Sequence, residues 1–369
     1  MQKHIRVSDT ISRLGGDEFC IILNNIESIY FVTNFIVESM KLIEKPFIIG
    51  EKRLYVAMSL GISVYPNDGK SATSLLKNAD VAMYRAKESG RNTYAFYDEE
   101  MTKRAVDRVY METELKKALQ EDELLVYFQP QIDARYDSLV GMEALARWNH
   151  PTMGMISPER FIPIAELTGM IVEIDRVIMT KAVEQFKEWN KEGLKPGKLA
   201  MNLAMKQIES NDFIEFLENL LKKLDCDYHN IELEVTENQI MKNPEKSIKT
   251  LKQLEKLQIA LSVDDFGTGY SSLAYLKRLP IQKLKIDKSF VDNLPYDTED
   301  VAISKTIISL CESLGLNVIA EGVEQQIQKE FLLENGCNLI QGYLYSPPLS
   351  AKDMTGYLKK KSSYTITTH

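Results

Sequence analysis

Short apolar runs alternate with longer amphipathic stretches over most of the chain after residue 124. The runs have the length and residue types of buried strands, and the stretches carry apolar residues at helical spacing. The predicted strands are Leu125–Asp133, Leu139–Ala144, Leu199–Asn202, Ile231–Val235, Ala260–Asp264, Lys283–Ile286, Asn317–Ala320 and Leu339–Ile340. The predicted helices are Pro158–Lys191 (as two helices), Phe213–Leu224, Glu245–Leu257, Ser271–Arg278, Ala302–Leu314 and Glu324–Glu334. Eight strands with helical crossovers predict a (β/α)8 barrel of the TIM type.

The connection between the first two strands departs from this pattern. Only residues 134–137 separate them, whereas a parallel crossover needs about a dozen residues or more. We therefore expect an antiparallel hairpin that sets Gln129 roughly opposite Glu143. The predicted fold is an α/β barrel whose first strand runs antiparallel to its neighbours.

The first hundred residues predict a separate, partial α/β domain. Phe19–Leu23 and Leu54–Val64 are rich in strand formers, while Phe31–Ile43 and Ser71–Glu88 have helical spacing. Between them, residues 66–69 (PNDG) predict a turn.

A charged stretch, Asp98–Gln120, predicts a connecting helix. The expected domains are residues 1–98, a connecting helix over residues 99–120 and a barrel over residues 121–360. The helix is equally compatible with a plain spacer and with a signalling connection.

Composition and charge exclude several function classes. The net charge of −8 argues against binding to nucleic-acid polymers, but bound cations would still allow a small anionic ligand. The four cysteines are far apart and predict reduced thiols in a cytoplasmic protein. No apolar run is long enough for a membrane span, so no membrane segment is expected in this chain, although a longer parent protein is compatible with a membrane anchor.

Polar residues recur where the predicted barrel strands end. The C-terminal strand ends of such a barrel meet on one face, and clustered carboxylates there need cations. Oxygen ligands suit Mg²⁺ or Mn²⁺, and two such ions stabilise an in-line phosphoryl displacement. With Lys285 and Arg147 nearby, the pattern predicts phosphoester hydrolysis by a metal-activated water. The residues at the predicted strand ends are Glu143, Asn202, Glu234, Asp264 and Asp265, while Lys285 lies in the sixth strand, Glu321 follows the seventh and Gln341 follows the eighth.

About two thirds of the chain resembles the EAL phosphodiesterases. The motifs occur in the order seen in that family: residues 141–148 (GMEALARW), 202–203 (NL), 234–237 (EVTE), 264–273 (DDFGTGYSSL), 285–287 (KID), 320–324 (AEGVE) and 341–343 (QGY). The one small departure is Ala204, where the family usually has serine, and we expect little effect from it.

The resemblance implies hydrolysis of cyclic-di-GMP to linear pGpG with two Mg²⁺ or Mn²⁺ ions. It also implies a homodimer formed through the EAL domain. It assigns Lys285 to the attacking water and Glu237 to steadying the 264–273 loop. Contacts to the dinucleotide are expected from Gln129, Arg147 and Gln341. The implied metal ligands are Glu143, Asn202, Glu234 and Asp264, with Asp264, Asp265 and Glu321 supporting the ion pair.

The N-terminal part resembles the second half of a GGDEF domain. Its signature comprises Gly15, Gly16, Asp17, Glu18 and Phe19, and residues 79–92 match the closing helix of that domain. An RxxD inhibitory site is expected at Arg6 and Asp9, at the family's spacing before Gly15. The alternative for these two residues is an ordinary surface ion pair.

Three other functions remain open at this point. A barrel of this kind can bind cyclic-di-GMP without cleaving it, but none of the implied ligands is missing here. The chain can also be bifunctional, with a GGDEF half that makes cyclic-di-GMP. A scaffold that dimerises through the barrel is compatible with catalysis.

We expect this chain not to make cyclic-di-GMP. Only fourteen residues precede Gly15, and the resemblance places a metal-binding aspartate and the guanine-recognition segment further upstream. A two-metal phosphoryl transfer needs both ions held in place. The test is incubation with GTP in a Glu143→Ala background, which is expected to block breakdown. Accumulation of cyclic-di-GMP would contradict the prediction.

Overall fold

The computed structural model describes residues 6, 8–26, 29–44, 47–49, 52–54, 56–268 and 273–366. The chain divides into two compact units, residues 1–110 and 111–369. The division falls inside one long helix, Glu99–Gln120. Among the described helices, none combines the length and apolar character needed to cross a membrane.

The first unit contains three two-stranded sheets and two complete helices among its described residues. Its strands β1 and β2 pair antiparallel, as do β3 and β4, whereas β5 and β6 pair in parallel. The elements are β1 Thr10–Gly15, β2 Glu18–Ile22, α1 Ile29–Glu44, β3 Phe47–Ile49, β4 Lys52–Leu54, β5 Leu60–Ile62, α2 Ala72–Glu88, β6 Tyr94–Phe96 and the shared helix α3 Glu99–Gln120.

Both helices predicted for this unit are confirmed, and the stretch over residues 54–64 that is rich in strand formers contributes to two separate strands. Leu54 belongs to β4, and a second strand, β5, begins only at Leu60. Helix α2 packs closely on β5, because a Cβ on Gly61 would lie 1.9 Å from the carbonyl oxygen of Ala79. Propensity alone does not locate the break between two such strands.

The second unit is a closed barrel. Eight strands form the closed ring, in the order β7-β8-β10-β11-β12-β13-β14-β15 and back to β7. Two short strands, β9 and β16, extend the sheet beside β8 and β7. The strands are β7 Leu124–Asp133, β8 Ser138–His150, β9 Gly154–Ile156, β10 Lys198–Asn202, β11 Ile231–Thr236, β12 Ala260–Phe266, β13 Lys283–Ile286, β14 Asn317–Ala320, β15 Leu339–Gln341 and β16 Leu349–Ser350.

Helices cover the outside of this barrel. They are α4 Pro158–Thr168, α5 Ile171–Lys191, α6 Met205–Glu209, α7 Phe213–Lys223, α8 Glu237–Lys242, α9 Pro244–Lys256, α10 Leu273–Leu276, α11 Thr298–Leu314, α12 Gln326–Glu334 and α13 Ala351–Ile366.

The predicted reversed strand is confirmed. Strands β7 and β8 form an antiparallel hairpin in which Gln129 pairs with Glu143, and β7 also pairs antiparallel with β15. The other ring strands run parallel to their neighbours. The predicted (β/α)8 barrel with an antiparallel first strand is therefore the observed fold.

The barrel strands alternate apolar and polar residues although both of their faces are buried. In β11, Ile231, Leu233 and Val235 pack in the main hydrophobic cluster with residues of the surrounding helices. The intervening Glu232 and Glu234 face the barrel interior and contact lysines there. Because side chains alternate along a strand, the apolar set supplies the core and the polar set supplies the site.

Several elements differ from the sequence prediction. Strand β8 continues to His150 because it pairs with β7 as far as Trp148 and with β9 from Trp148 to His150. The prediction omitted β9, β16 and α13. In the segment predicted as a helix over residues 271–278, the described helix α10 covers only Leu273–Leu276, and residues 271–272 lie outside the described residues.

Gly197 and Gly193 form a matched pair for testing how tightly β8 and β10 pack. Both have a positive φ, +74° and +72°. A Cβ on Gly197 would lie 2.3 Å from the Val140 carbonyl oxygen, whereas at Gly193 it would meet nothing within 4 Å. Both Gly→Ala variants incur the positive-φ cost of about 1–2 kcal/mol.

We expect Gly197→Ala to lower the free energy of unfolding by about 1–3 kcal/mol more than Gly193→Ala. The reason is that a Cβ at position 197, unlike one at position 193, requires the backbone at Val140 to move. Denaturant unfolding of the two variants measures the difference. Equal losses would show that the contact at Gly197 is relieved without cost.

Candidate active site

The residues predicted at the strand ends converge on one buried lysine. The ammonium of Lys285, in β13, is fully buried and lies within ion-pair distance of four carboxylates. The Nζ–oxygen distances are 3.4 Å to Glu143, 2.5 Å to Glu234, 3.2 Å to Asp264 and 2.6 Å to Glu321. The acidic residues come from β8, β11, β12 and the end of β14, so the barrel closure itself assembles the cluster.

A single cation faces an excess of negative charge in this cluster. Burial opposes the charge on Lys285, but the surrounding carboxylates outweigh it and raise the pKa of Lys285 well above its ordinary value. Burial, followed by the charge of Glu143, raises the pKa of Glu234 well above its ordinary value. Burial also raises the pKa of Glu321 to about 8, although Lys285 acts in the opposite direction. The negative charge of the cluster is therefore not balanced by one lysine, and additional positive charge would stabilise the ionised carboxylates.

Glu143 differs from the other carboxylates because amide donors surround it. Asn202 Nδ2 donates to Glu143 Oε1 at 2.7 Å, and Gln341 Nε2 donates to Glu143 Oε2 at 2.6 Å. Burial alone would raise the pKa of Glu143, but Lys285 and these two donors hold it below its ordinary value. The two amide donors thus fix the orientation of the Glu143 carboxylate.

Asp264 and Asp265 lie at an irregular strand end. The pairing of β12 with β13 shifts register between Val263 and Phe266, and Asp265 has a φ of +53°. Such a backbone is strained for a residue with a side chain. Asp264 lies in the Lys285 cluster, whereas Asp265 has no ion pair with Lys285. Burial, followed by the charge of Asp264, raises the pKa of Asp265 to about 6.

Glu237 lies under the loop that follows β12. It is the first residue of α8, whose N-terminus is capped by Thr236, and its carboxylate is buried. Its Oε2 accepts a 3.1 Å hydrogen bond from the backbone amide of Gly267. The predicted steadying role concerns the 264–273 loop, of which residues 269–272 lie outside the described residues. The contact to Gly267 is compatible with that role, which stays a prediction.

The three residues predicted to contact a dinucleotide differ in burial and in their hydrogen-bond partners. Gln129 is buried, and its Nε2 donates to the Ser346 carbonyl oxygen at 3.2 Å. Gln341 is also buried and uses both amide hydrogens, on Glu143 and on Gln129. The half-buried Arg147 lies with its guanidinium 5.4 Å from the ring centroid of Tyr127. Their contacts to a ligand stay predictions.

A second polar layer lies beneath the Lys285 cluster, and the sequence prediction did not include it. Lys283 Nζ lies 2.8 Å from both carboxylate oxygens of Glu232, and 3.5 Å from Gln131 Oε1. All three side chains are buried. Strand alternation could have predicted this layer, because residues two positions apart on a strand face the same side. Glu232, Lys283 and Gln131 each lie two positions from a predicted site residue, namely Glu234, Lys285 and Gln129.

The residues of the Lys285 cluster fit a hard divalent cation by donor type. They offer carboxylate and amide oxygens, and the buried Glu234 Oε1 has no hydrogen-bond partner among the described residues. Within the described ranges, no group of three or more His, Cys, Asp or Glu side chains is already arranged to hold a metal ion. The ammonium of Lys285 lies between the carboxylates and holds them at hydrogen-bond distances.

The residues predicted for the N-terminal unit lie just before β1 and around the turn between β1 and β2. Asp9 accepts hydrogen bonds from the backbone amides of Arg6, at 3.1 Å, and Asn24, at 3.0 Å. The guanidinium of Arg6 stacks 4.0 Å from the ring centroid of Phe31. Of the GGDEF signature, Gly15 ends β1, Gly16 and Asp17 form the turn, and Glu18 and Phe19 begin β2. The inhibitory role of Arg6 and Asp9 stays a prediction.

Comparison with known families identifies the barrel. Residues 112–348 match the family described as EAL domain. The chain belongs to the EAL domain family. Residues 1–93 match a second family, described as diguanylate cyclase, GGDEF domain. The resemblance inferred from the motifs is therefore confirmed for both parts of the chain.

Curated relatives match almost the whole chain. The bifunctional diguanylate cyclase/cyclic di-GMP phosphodiesterase MucR of Pseudomonas aeruginosa is 38% identical over 354 residues, which are 96% of this chain and 52% of MucR. The cyclic di-GMP phosphodiesterase NbdA of the same organism is 37% identical over 357 residues, 96% of this chain and 45% of NbdA. The chain thus spans about half the length of these relatives.

A solved structure titled PaMucR Phosphodiesterase, c-di-GMP complex, resembles the EAL domain. It has 39% sequence identity and a TM-score of 0.64, and the match covers 66% of this chain and 99% of that one. EAL domains are metal-dependent as a family. The oxygen donors around Lys285 in this EAL domain agree with that property.

Removing the ammonium at position 285 should destabilise the EAL domain in the absence of divalent cations. Loss of one partner from a buried ion pair typically costs about 3–5 kcal/mol. We expect Lys285→Met to lower the free energy of unfolding by about that much in chelator, and Mn²⁺ to restore most of it. The measurement is thermal or denaturant unfolding with and without Mn²⁺.

Lys288→Met provides the control, because Lys288 is half-exposed and pairs with Glu324 at 2.7 Å on the surface. Such a pair contributes about 0–1 kcal/mol. An unfolding free energy for Lys285→Met equal to that of the control would contradict the stabilising role of the buried ammonium.

Proposed function

We propose that the EAL domain of this chain hydrolyses cyclic-di-GMP to linear pGpG by attack of water on one phosphodiester bond. The observation that carries the proposal is the convergence of four carboxylates and Asn202 around Lys285 at the barrel's strand ends. The names of MucR and NbdA and the c-di-GMP complex of the solved neighbour support the choice of substrate.

Two Mg²⁺ or Mn²⁺ ions, when bound, would supply the positive charge that neutralises the phosphate and lowers the pKa of water. Direct ligands in our proposal are Glu143, Asn202, Glu234 and Asp264. Further support comes from Asp265 and Glu321. The oxygen-only donor set and the unpartnered Glu234 Oε1 support this choice of cation.

The chain's own residues position the reactants. We assign Lys285 to orienting the attacking water, because its ammonium lies among the proposed metal ligands Glu143, Glu234 and Asp264. Arg147 and Gln129 contact the dinucleotide, and Gln341 remains a candidate contact. Glu237 holds the loop through the Gly267 amide, which keeps Asp264 and Asp265 at the strand end.

The alternative functions can be distinguished from hydrolysis by the products that each would give. A binding module would retain cyclic-di-GMP uncut, yet every proposed ligand type is present in the barrel. A bifunctional enzyme would also convert GTP, which the assay in the Glu143→Ala background detects. Homodimer formation through the EAL domain, a cytoplasmic location and a regulatory role for the GGDEF part are further parts of this proposal.

Glu143→Ala and Asp264→Ala should each abolish hydrolysis while the barrel stays folded. Each removes a proposed direct ligand, so the loss should exceed the about 10–100-fold typical of outer-shell partners. Turnover is followed by chromatographic separation of cyclic-di-GMP from pGpG, in Mg²⁺ and in Mn²⁺. Ca²⁺ should substitute poorly, because it is larger and holds irregular coordination.

Glu188→Ala is the control, since Glu188 is an exposed carboxylate of α5 whose partner is Lys191. Circular dichroism checks the fold of all three variants. Near-normal turnover in either folded site variant, or full activity after exhaustive chelation, would contradict the proposed mechanism. Binding of cyclic-di-GMP by the unmodified chain without cleavage would favour the binding module.

A further inference from the structure

A chain of buried hydrogen bonds links the lower polar layer to Glu143. Lys283 Nζ lies 3.5 Å from Gln131 Oε1, and Gln131 Nε2 donates to Gln341 Oε1 at 3.0 Å. Gln341 Nε2 then donates to Glu143 Oε2 at 2.6 Å. We call Lys283, Gln131 and Gln341 the relay. It connects β13, β7 and β15 to the carboxylate on β8.

The relay has a fixed direction because it starts at a cation. An ammonium only donates, so the side chain of Gln131 must turn its oxygen to Lys283 and its amide hydrogens to Gln341. Gln341 must then accept with its oxygen and donate with its nitrogen. Each hydrogen bond that links the three relay residues and Glu143 is therefore donated in the direction of Glu143.

Gln129 reinforces the same orientation from the other side. Its nitrogen donates to the Ser346 carbonyl oxygen, which leaves Gln129 Oε1 to accept a 3.1 Å hydrogen bond from Gln341. Both amide hydrogens of Gln341 are thus used, on Gln129 and on Glu143. A flipped Gln341 would place its oxygen against the Glu143 carboxylate and lose both bonds.

The anchor of the relay is the ion pair between Lys283 and Glu232. Glu232 binds the ammonium through both oxygens at 2.8 Å, and both side chains are buried. A buried ion pair of this kind is often no more stabilising than well-packed apolar residues. The pair is therefore weak evidence for a stabilising role, but its ammonium fixes the direction of the Gln131 side-chain amide.

We propose that the Glu232–Lys283 pair and Gln131 are positioning residues, which act through Gln341 to hold the Glu143 carboxylate in the orientation that binds the divalent cation. This inference rests on the proposed function of the EAL domain. Outer-shell partners of this type typically change metal affinity or activity by about 10–100-fold.

Two variants of the full chain test the relay. Gln131→Met keeps the side-chain volume and removes the hydrogen bonds. The double variant Glu232→Leu/Lys283→Met removes both ion-pair partners together, so no charge is left buried and unpaired, and stability should be kept or raised. Gln207→Met is the control, because Gln207 is a buried glutamine whose Nε2 donates to the Val172 carbonyl oxygen outside the barrel.

Mn²⁺ affinity is measured without substrate, from the loss of the electron paramagnetic resonance signal of free Mn²⁺. Thermal unfolding is recorded in parallel. We expect both test variants to bind Mn²⁺ about 10-fold more weakly or worse, the control to bind as the unmodified chain does, and the double variant to show no loss of thermal stability. Excess Mn²⁺ should restore cyclic-di-GMP turnover in both.

A Mn²⁺ affinity within about twofold of the unmodified chain in both folded test variants would overturn the relay alone. Loss of affinity only in proportion to loss of thermal stability would overturn it as well, since that is the result of a purely structural role. Absence of Mn²⁺ binding by the unmodified chain would overturn the proposed function, and the relay with it.

Discussion

The ion pairs of the Lys285 ammonium are the interaction on which the barrel interior depends. A buried charge is costly unless it is paired, and here each of four acidic side chains has the same cationic partner. Because the carboxylates come from different strands, Lys285 joins β8, β11, β12 and β14 across the barrel axis. The same excess of carboxylate oxygens that requires the lysine also makes the site receptive to divalent cations.

The barrel interior can be charged because the apolar core lies between the strands and the surrounding helices. TIM-type barrels usually fill the interior with layers of branched apolar side chains. Here two successive layers around Lys285 and Lys283 are charged, and the hydrophobic cluster lies between the strands and the helices. Alternate residues of each strand face the barrel interior and the helices. The interior can therefore stay polar, while the layer between strands and helices supplies most of the apolar burial that stabilises the fold.

The sequence predicts the barrel well because its short ring strands, which are apolar at least at every second position, are separated by stretches with helical spacing. The predicted bounds of β13 and β14 coincide with those observed, whereas Glu143, predicted at the end of its strand, lies inside β8. Short strands such as β16 are not predictable in the same way, because they exist only through pairing with β7, more than 200 residues away. Glu232 and Lys283 were missed because a charged residue near the start of a strand is usually solvated.

The irregular end of β12 shows why the remaining geometry cannot be derived from pattern alone. In a regular strand, the adjacent Asp264 and Asp265 would face opposite sides, and one carboxylate would enter the apolar layer beneath the helices. The register shift and the positive φ of Asp265 break this alternation. Burial, followed by the charge of Asp264, raises the pKa of Asp265 to about 6. Backbone strain of this kind persists only where surrounding contacts fix it, and the hydrogen bond from Gly267 to the buried Glu237 is such a contact.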